Sequence, residues 1–229
     1  MAHAFAGYLW QPPDAIDGAV AARVLIPSLA SQTLPVDVEA EKDWSGEVGL
    51  AGRILGALNL GVTGWARYAY DQIDRQNVGT TNLVASYNFR QGRAVGAETY
   101  GNFAVGRLLD GFANAGWQLA QGQGVDSERY LFTPAQLAYS GWSTLDHVQS
   151  WTANLGLDLH DDGGKTHLSG LANYGSGLRT GLGDQLTVPS HVTLDLTLRH
   201  PFDVVLHPEV ALDVFNVFDE VYAIRIATG

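Results

Sequence analysis

The chain has no cysteine, only two lysines (Lys42 and Lys165) and no long apolar run. Without cysteine there is no disulfide framework, no thiol nucleophile and no thiolate metal site. Charged residues make up 16% of its 229 residues, well below the usual roughly 25%. The formal net charge is −11, which excludes nucleic acid as a partner, because phosphate binding needs clustered Lys and Arg. No apolar stretch reaches the ~18 residues of a transmembrane helix, and no basic segment followed by an apolar one marks a secretory leader at Met1. A helical span is therefore excluded, but not a membrane barrel, whose strands carry a weaker, alternating signal.

Apolar residues make up 46% of the chain, with 27 glycines, six Trp, nine Tyr and eight Phe. Their dominant period is two. From His191 to Arg199, Val192, Leu194, Leu196 and Leu198 alternate with Thr193, Asp195 and Thr197, which gives a strand one apolar and one polar face. Trp151, Ala153, Leu155, Leu157 and Leu159 alternate in the same way, as do Leu58, Leu60 and Val62, and Val210, Leu212 and Val214. Residues 3–10 and 44–53 also read as strands, and residues 93–104, 110–121 and 164–175 as looser ones rich in Gly, Asn and aromatics. Residues 82–89 suit either a strand extension or a loop. Run-and-turn signals give about nine strands.

The connections alternate in length. Short ones lie near 54–57, 105–109, 161–164 and 200–207, and long ones over 11–43, 72–92, 122–146 and 177–190. That rhythm predicts an all-β, antiparallel transmembrane barrel with short periplasmic turns and long extracellular loops. Aromatics near strand ends (Tyr8, Trp10, Trp44, Trp65, Tyr68, Tyr70, Trp117, Trp151, Tyr174, Phe215 and Phe218) suit interfacial girdles in a barrel and equally the core of a sandwich.

Three stretches, in order, resemble TonB-dependent transporters of the outer membrane. HAFAGYLWQPP (3–13) is similar to a strand rising to a Pro-marked extracellular loop, and VEAEKDWSGEVGL (38–50) to the acidic return strand, with Glu41 and Glu47 as the matching acids. RAVGAETYGNF (93–103) resembles a further family strand through Gly96 and Glu98. ALDVFNVFDEVYAI (211–224) is similar to a strand near the barrel's end through Asn216, Phe218, Asp219 and Tyr222. The resemblance implies a partial barrel spanning 1–229, about nine strands out of about 22. It also implies a chain truncated at both ends, without the plug domain and without a last strand. The partners implied are outer-membrane lipid, an imported small solute (metal chelate, cobalamin or glycan) and an inner-membrane energy-coupling complex acting through the plug.

The polar row, Glu47, Arg67, Glu98, Asp158, Asp195 and Arg199, is expected to face the lumen. There it would either line a solute path or form fixed ion pairs. No cofactor, metal or catalytic site is expected. None of the seven histidines shows His-x-x-x-His or Cys/His spacing, and His160-Asp161-Asp162-Gly163-Gly164 reads as a hairpin turn. Adjacent acids such as Asp161/Asp162 and Asp219/Glu220 do not supply carboxyls held across a cleft, and Gly175-Ser176-Gly177 reads as a turn. Two other readings remain open at this level: a small autonomous barrel of about eight to ten strands, porin or adhesin-like, and a soluble β-sandwich binding module.

Overall fold

In a computed structural model the described residues are 1–13, 38–54, 56–77, 84–127, 129–145, 148–161, 163–180 and 186–223. One antiparallel sheet dominates. Its long strands are β1 (Ala2–Gln11), β2 (Glu41–Ile54), β3 (Leu58–Asn77), β4 (Val84–Val105), β5 (Leu109–Val125), β7 (Trp151–His160), β8 (His167–Gly175), β11 (His191–Pro201) and β12 (Glu209–Val214). They pair in that order, each with its neighbour along the chain. The short strand β6 (Ser143–Thr144) adds to β5, and β9 (Arg179–Thr180) pairs with β10 (Leu186–Thr187) as a separate ribbon. β1 and β12 are the two edges. The expected count of about nine strands holds, and the sheet is unclosed. Among the described residues no second large sheet packs against it, so the sandwich reading fails.

Antiparallel pairing puts directly opposed residues on the same face, so the register carries each strand's alternation into the next. One rung runs Ala153–Tyr174–Val192, another Leu155–Ala172–Leu194, and the next Leu157–Gly170–Leu196–Val214. Every side chain on these rungs is apolar. The same face carries Trp44 and Leu50, each 60% exposed, an arrangement that water penalises and lipid favours. Tyr8, Trp44 and Tyr68 share a rung toward the long-loop end of this face, with the Tyr8 and Trp44 rings 5.0 Å apart, and Trp117 opposes Trp151. Such a belt of rings at one level of the apolar face suits an interfacial girdle. Trp65 departs from it, because it lies on the polar face opposite Glu47 and Gly96.

Two expectations are corrected. Residues 72–92 are not a long loop, because β3 and β4 stay paired out to Asn77 and Val84, leaving only 78–83 between them. The polar run Gln72–Asn77 imitates turn chemistry, but it is held by the ladder. At Asp71 (φ 55°) the face alternation is interrupted. Beyond it the Phe89 ring lies over Gly122 and the Gln72 side chain over Gly92, both polar-face positions. Phe89, Tyr87 and Phe132 then form a small buried cluster with Val125, Leu131, Leu137 and Leu145. The segment 126–145 supplies part of it through a 3₁₀ turn, Arg129–Leu131, and a one-turn helix, Pro134–Leu137, capped by a Thr133–Gln136 capping box.

The second correction concerns residues 211–222. The strand stops at Val214, and Asn216 (φ 49°) and Asp219 (φ 51°) turn the chain. Asn and Asp tolerate this left-handed region best after glycine. The Asn216 amide closes the turn by donating to Glu220 O at 3.0 Å and accepting from Glu220 N at 3.1 Å. Tyr222 then stacks on His191 with centroids 3.9 Å apart. The motif residues Asn216, Asp219 and Tyr222 therefore make a turn that folds back on β11, while Phe218 is exposed.

Candidate functional site: the polar face

Glu47, Arg67, Glu98, Asp158, Asp195 and Arg199 all lie on the face opposite the aliphatic rungs. The register fixes this. Glu47 opposes Trp65, Glu98 opposes Thr63 and Gly116, Asp158 opposes Ser169, and Arg199 opposes His167. None of the six is paired directly with another. Arg67 and Glu47 lie in a first region, Asp195 in a middle one, and Asp158 with Arg199 in a third.

The first group is at the long-loop end. Arg67 lies between Glu41 and Asp43, with Nε 2.9 Å from Asp43 Oδ2 and Nη2 against Glu41 Oε1. Both carboxylates are buried; Glu41 is only 2% exposed and also accepts from Ile73 N at 2.7 Å. Glu41 thus acquires a physical role: it holds Arg67 and satisfies a backbone amide of β3 just past the Asp71 irregularity. Asp43, its second acid, was missed from the sequence. It lies two residues from Glu41, and the period-two pattern already placed it on the same face. Further along this face His3 Nε2 contacts Glu47 Oε1 at 2.9 Å.

The middle is rich in amides and carboxylates. Asn154 donates to Asn114 at 2.7 Å and Asn173 to Thr193 at 3.3 Å. Asp195 Oδ1 accepts from Asn216 N at 2.7 Å, which ties it to the Asn216 turn, and Thr197 donates to Asp213 at 2.7 Å. Asn102, Asp110, Phe112, Asp158, Asp195 and Thr197 line a hollow of ≈ 530 Å³.

The third group is at the short-turn end. Asp158 accepts from Ser169 Oγ at 2.8 Å through Oδ1, and its Oδ2 lies 3.0 Å from His160 Nε2 and 3.1 Å from His167 Nδ1. Just outside the strands, Asp161 Oδ1 accepts from Lys165 N at 2.7 Å and Oδ2 from Thr166 Oγ1 at 2.8 Å. The Lys165 amide first, then the Thr166 hydroxyl, hold the Asp161 carboxyl below the ordinary value. The Asp161–Gly164 reading as a turn is sound: Gly164 sits at φ 64° and donates to Asp161 O. Asp162 and His147 lie outside the described residues. Gly175 ends β8 rather than opening a turn; Gly177 sits at φ 84°, and Ser176 Oγ between them accepts from Trp151 N at 3.0 Å.

A single meander with one apolar and one polar face, an aromatic girdle, short turns at one end and long connections at the other define an outer-membrane β-barrel. Residues 6–217 match the family model of the TonB dependent receptor-like β-barrel. The chain belongs to that family, and its place is the outer membrane. No curated protein matches it by sequence.

Solved receptors share its fold. The FrpB iron transporter from Neisseria meningitidis aligns with a TM-score of 0.67 at 12% identity, over 99% of this chain and 34% of that one. The copper transporter OprC aligns with a TM-score of 0.67 at 14% identity, over 96% and 31%. The ferric yersiniabactin uptake receptor FyuA from Yersinia pestis aligns with a TM-score of 0.66 at 15% identity, over 98% and 30%. The chain thus spans about a third of the length of these receptors. Proteins of this family are receptors and transporters rather than enzymes.

Proposed function

We propose that this sheet forms one sector of a receptor barrel that imports a metal chelate, with the polar face toward the lumen. The observation that carries the reading is the segregation of faces, kept in register across nine strands. An apolar exterior, with Lys42 and Arg93 confined to its long-loop end beside Tyr70 and Tyr68, fits lipid, and a row of acids, amides and Arg67 fits a hydrated interior. Metal chelates are the solute class favoured, because the solved structures that share the fold include iron, copper and ferric-siderophore receptors. Glu47, Glu98, Asp195 and Arg199 line the passage, while Arg67 is fixed by Glu41 and Asp43. Energy would come from an inner-membrane complex acting through a plug held by the intact receptor. Among the described residues β1 and β12 stay as open edges, which favours this over a small autonomous barrel.

Two measurements test the proposal. Single cysteines at Thr197 and Leu196, introduced in the intact receptor in cells, should separate: a water-soluble maleimide labels Thr197→Cys and spares Leu196→Cys. Deleting the gene should impair growth under iron or copper limitation and abolish uptake of a labelled ferric or cupric chelate. Equal labelling at both positions, or unchanged growth and uptake across the chelates, would sink it.

A further inference from the structure

We propose that the polar face carries a binding site for a divalent transition-metal ion at its periplasmic rim, formed by His160, His167 and Asp158 with Asp110 as a fourth donor. The site arises from hairpin register. β7 and β8 place His160 directly opposite His167, Asp158 lies two residues earlier on the same face, and β5 places Asp110 directly opposite Asp158. β7 and β8 therefore bring two imidazoles and one carboxylate to one point, and β5 sets the Asp110 carboxylate beside His160.

The spacings suit an ion. Asp158 Oδ2 is 3.0 Å from His160 Nε2 and 3.1 Å from His167 Nδ1, and Asp110 Oδ2 is 3.5 Å from His160 Nε2. One ligand atom from each of Asp158, His160 and His167 falls within 4.8 Å of the others. Zinc bonds of ~2.0–2.2 Å in tetrahedral geometry put neighbouring ligand atoms about 3.3 Å apart. The observed distances straddle that figure, so an ion needs only small side-chain rotations. Ser169 donates to the other oxygen of Asp158. That outer hydrogen bond turns Oδ2 toward the histidines, as second-shell partners of metal ligands do.

The donor set selects the ion class. Two imidazoles with carboxylates suit Zn(II), Cu(II), Ni(II) or Fe(II) and are wrong for Mg(II) or Ca(II), which take oxygen shells. Charge is favourable. Arg199 opposes His167, but two carboxylates outweigh one guanidinium. The side chains remain reachable from the polar side, with His160 at 19% and His167 at 36% exposure. Neighbouring groups do not compete for the role, since Asp161 is occupied in its own turn and His200 Nδ1 is paired with Thr166 Oγ1.

The site stands apart from the import reading, and its test reads binding alone. Zn(II) titrated by calorimetry into the purified protein in detergent micelles should bind one equivalent. His160→Ala and His167→Ala should each weaken binding tenfold or more, whereas His3→Ala and His207→Ala should not, and excess Mg(II) should not compete. Bound Cu(II) should show the electron-spin signature of two imidazole nitrogens, reduced to one in either variant. Should those variants misfold, the unmodified protein still decides the matter. Zn(II) should shield His160 and His167, but not His207, from diethyl pyrocarbonate, read by peptide mass spectrometry. No saturable equivalent, wild-type affinity in both variants, or equal modification with and without Zn(II) would overturn the proposal.

Discussion

The indole of Trp65 lies across Gly96, so that a Cβ at that glycine would stand 2.5 Å from Trp65 Cζ2. The carbonyl oxygen of Trp117 would be 2.8 Å away from the same atom. The two residues are direct partners across β3 and β4, and the indole occupies the volume that a side chain at position 96 would need. Gly96 thus gains a steric reason for being glycine.

Gly96→Ala should therefore destabilise the sheet by about 1–3 kcal/mol, the usual range for overpacking. The indole can swing away, but the Trp117 carbonyl is backbone. A Gly96→Ala/Trp65→Ala double variant should recover only part of the loss. Urea unfolding in detergent measures both, and full recovery would mean that the Trp117 contact is unimportant.

Arg67 is the counter-ion of two buried acids. Arg67→Ala should cost about 3 kcal/mol, because it leaves Glu41 and Asp43 buried without a cation. Adding Glu41→Gln should restore a share of that stability. Arg67→Lys should remain impaired, since an ammonium cannot fork to two carboxylates. An Arg67→Ala protein as stable as wild type would show the group to be solvated rather than buried.

Leu196 sits at the centre of β11 on the apolar face, opposite Gly170 and Val214. Leu196→Arg should cost about 2–4 kcal/mol near the bilayer midplane, whereas Thr197→Arg, one residue on and facing the other way, should cost far less. Folding yield into lipid vesicles, followed by the gel-mobility shift of the folded form, tests the pair. Equal losses at the two positions would refute the assignment of faces.

Much of this was legible from the chain alone, because the side chains of a regular strand alternate and lipid keeps one set apolar. The row from Val192 to Leu198 fixed a face, and the short turns fell where Asp161, Gly163 and Gly164 announced them. Three features were not legible. Asp71 breaks the alternation through a backbone angle that no residue type requires. Gln72–Asn77 is polar enough to pass for a loop, yet the ladder with Val84–Phe89 holds it extended. The His160–His167 pair is invisible to motif spacing, because the hairpin register, not the interval along the chain, brings the rings within 4.5 Å. The signal is the turn itself: reflected about residues 161–166, the hairpin pairs His160 with His167.

The last prediction concerns the two edges. Among the described residues β1 and β12 each pair on one side only, β1 with β2 and β12 with β11, which leaves each a sheet edge with unpaired N–H and C=O groups. In lipid such groups cost several kcal/mol each, and in water they template association with other edges. Nine antiparallel strands in one path also cannot close on themselves in antiparallel fashion, since an odd count leaves the first and last strands parallel. Cysteines at Ala6 and Leu212, both on the apolar face, should therefore form no intramolecular disulfide in the purified 229-residue chain. The same chain should associate into dimers and larger species as detergent is diluted. Efficient disulfide formation in a monodisperse monomer would mean that the edges meet, and would return the small autonomous barrel to favour.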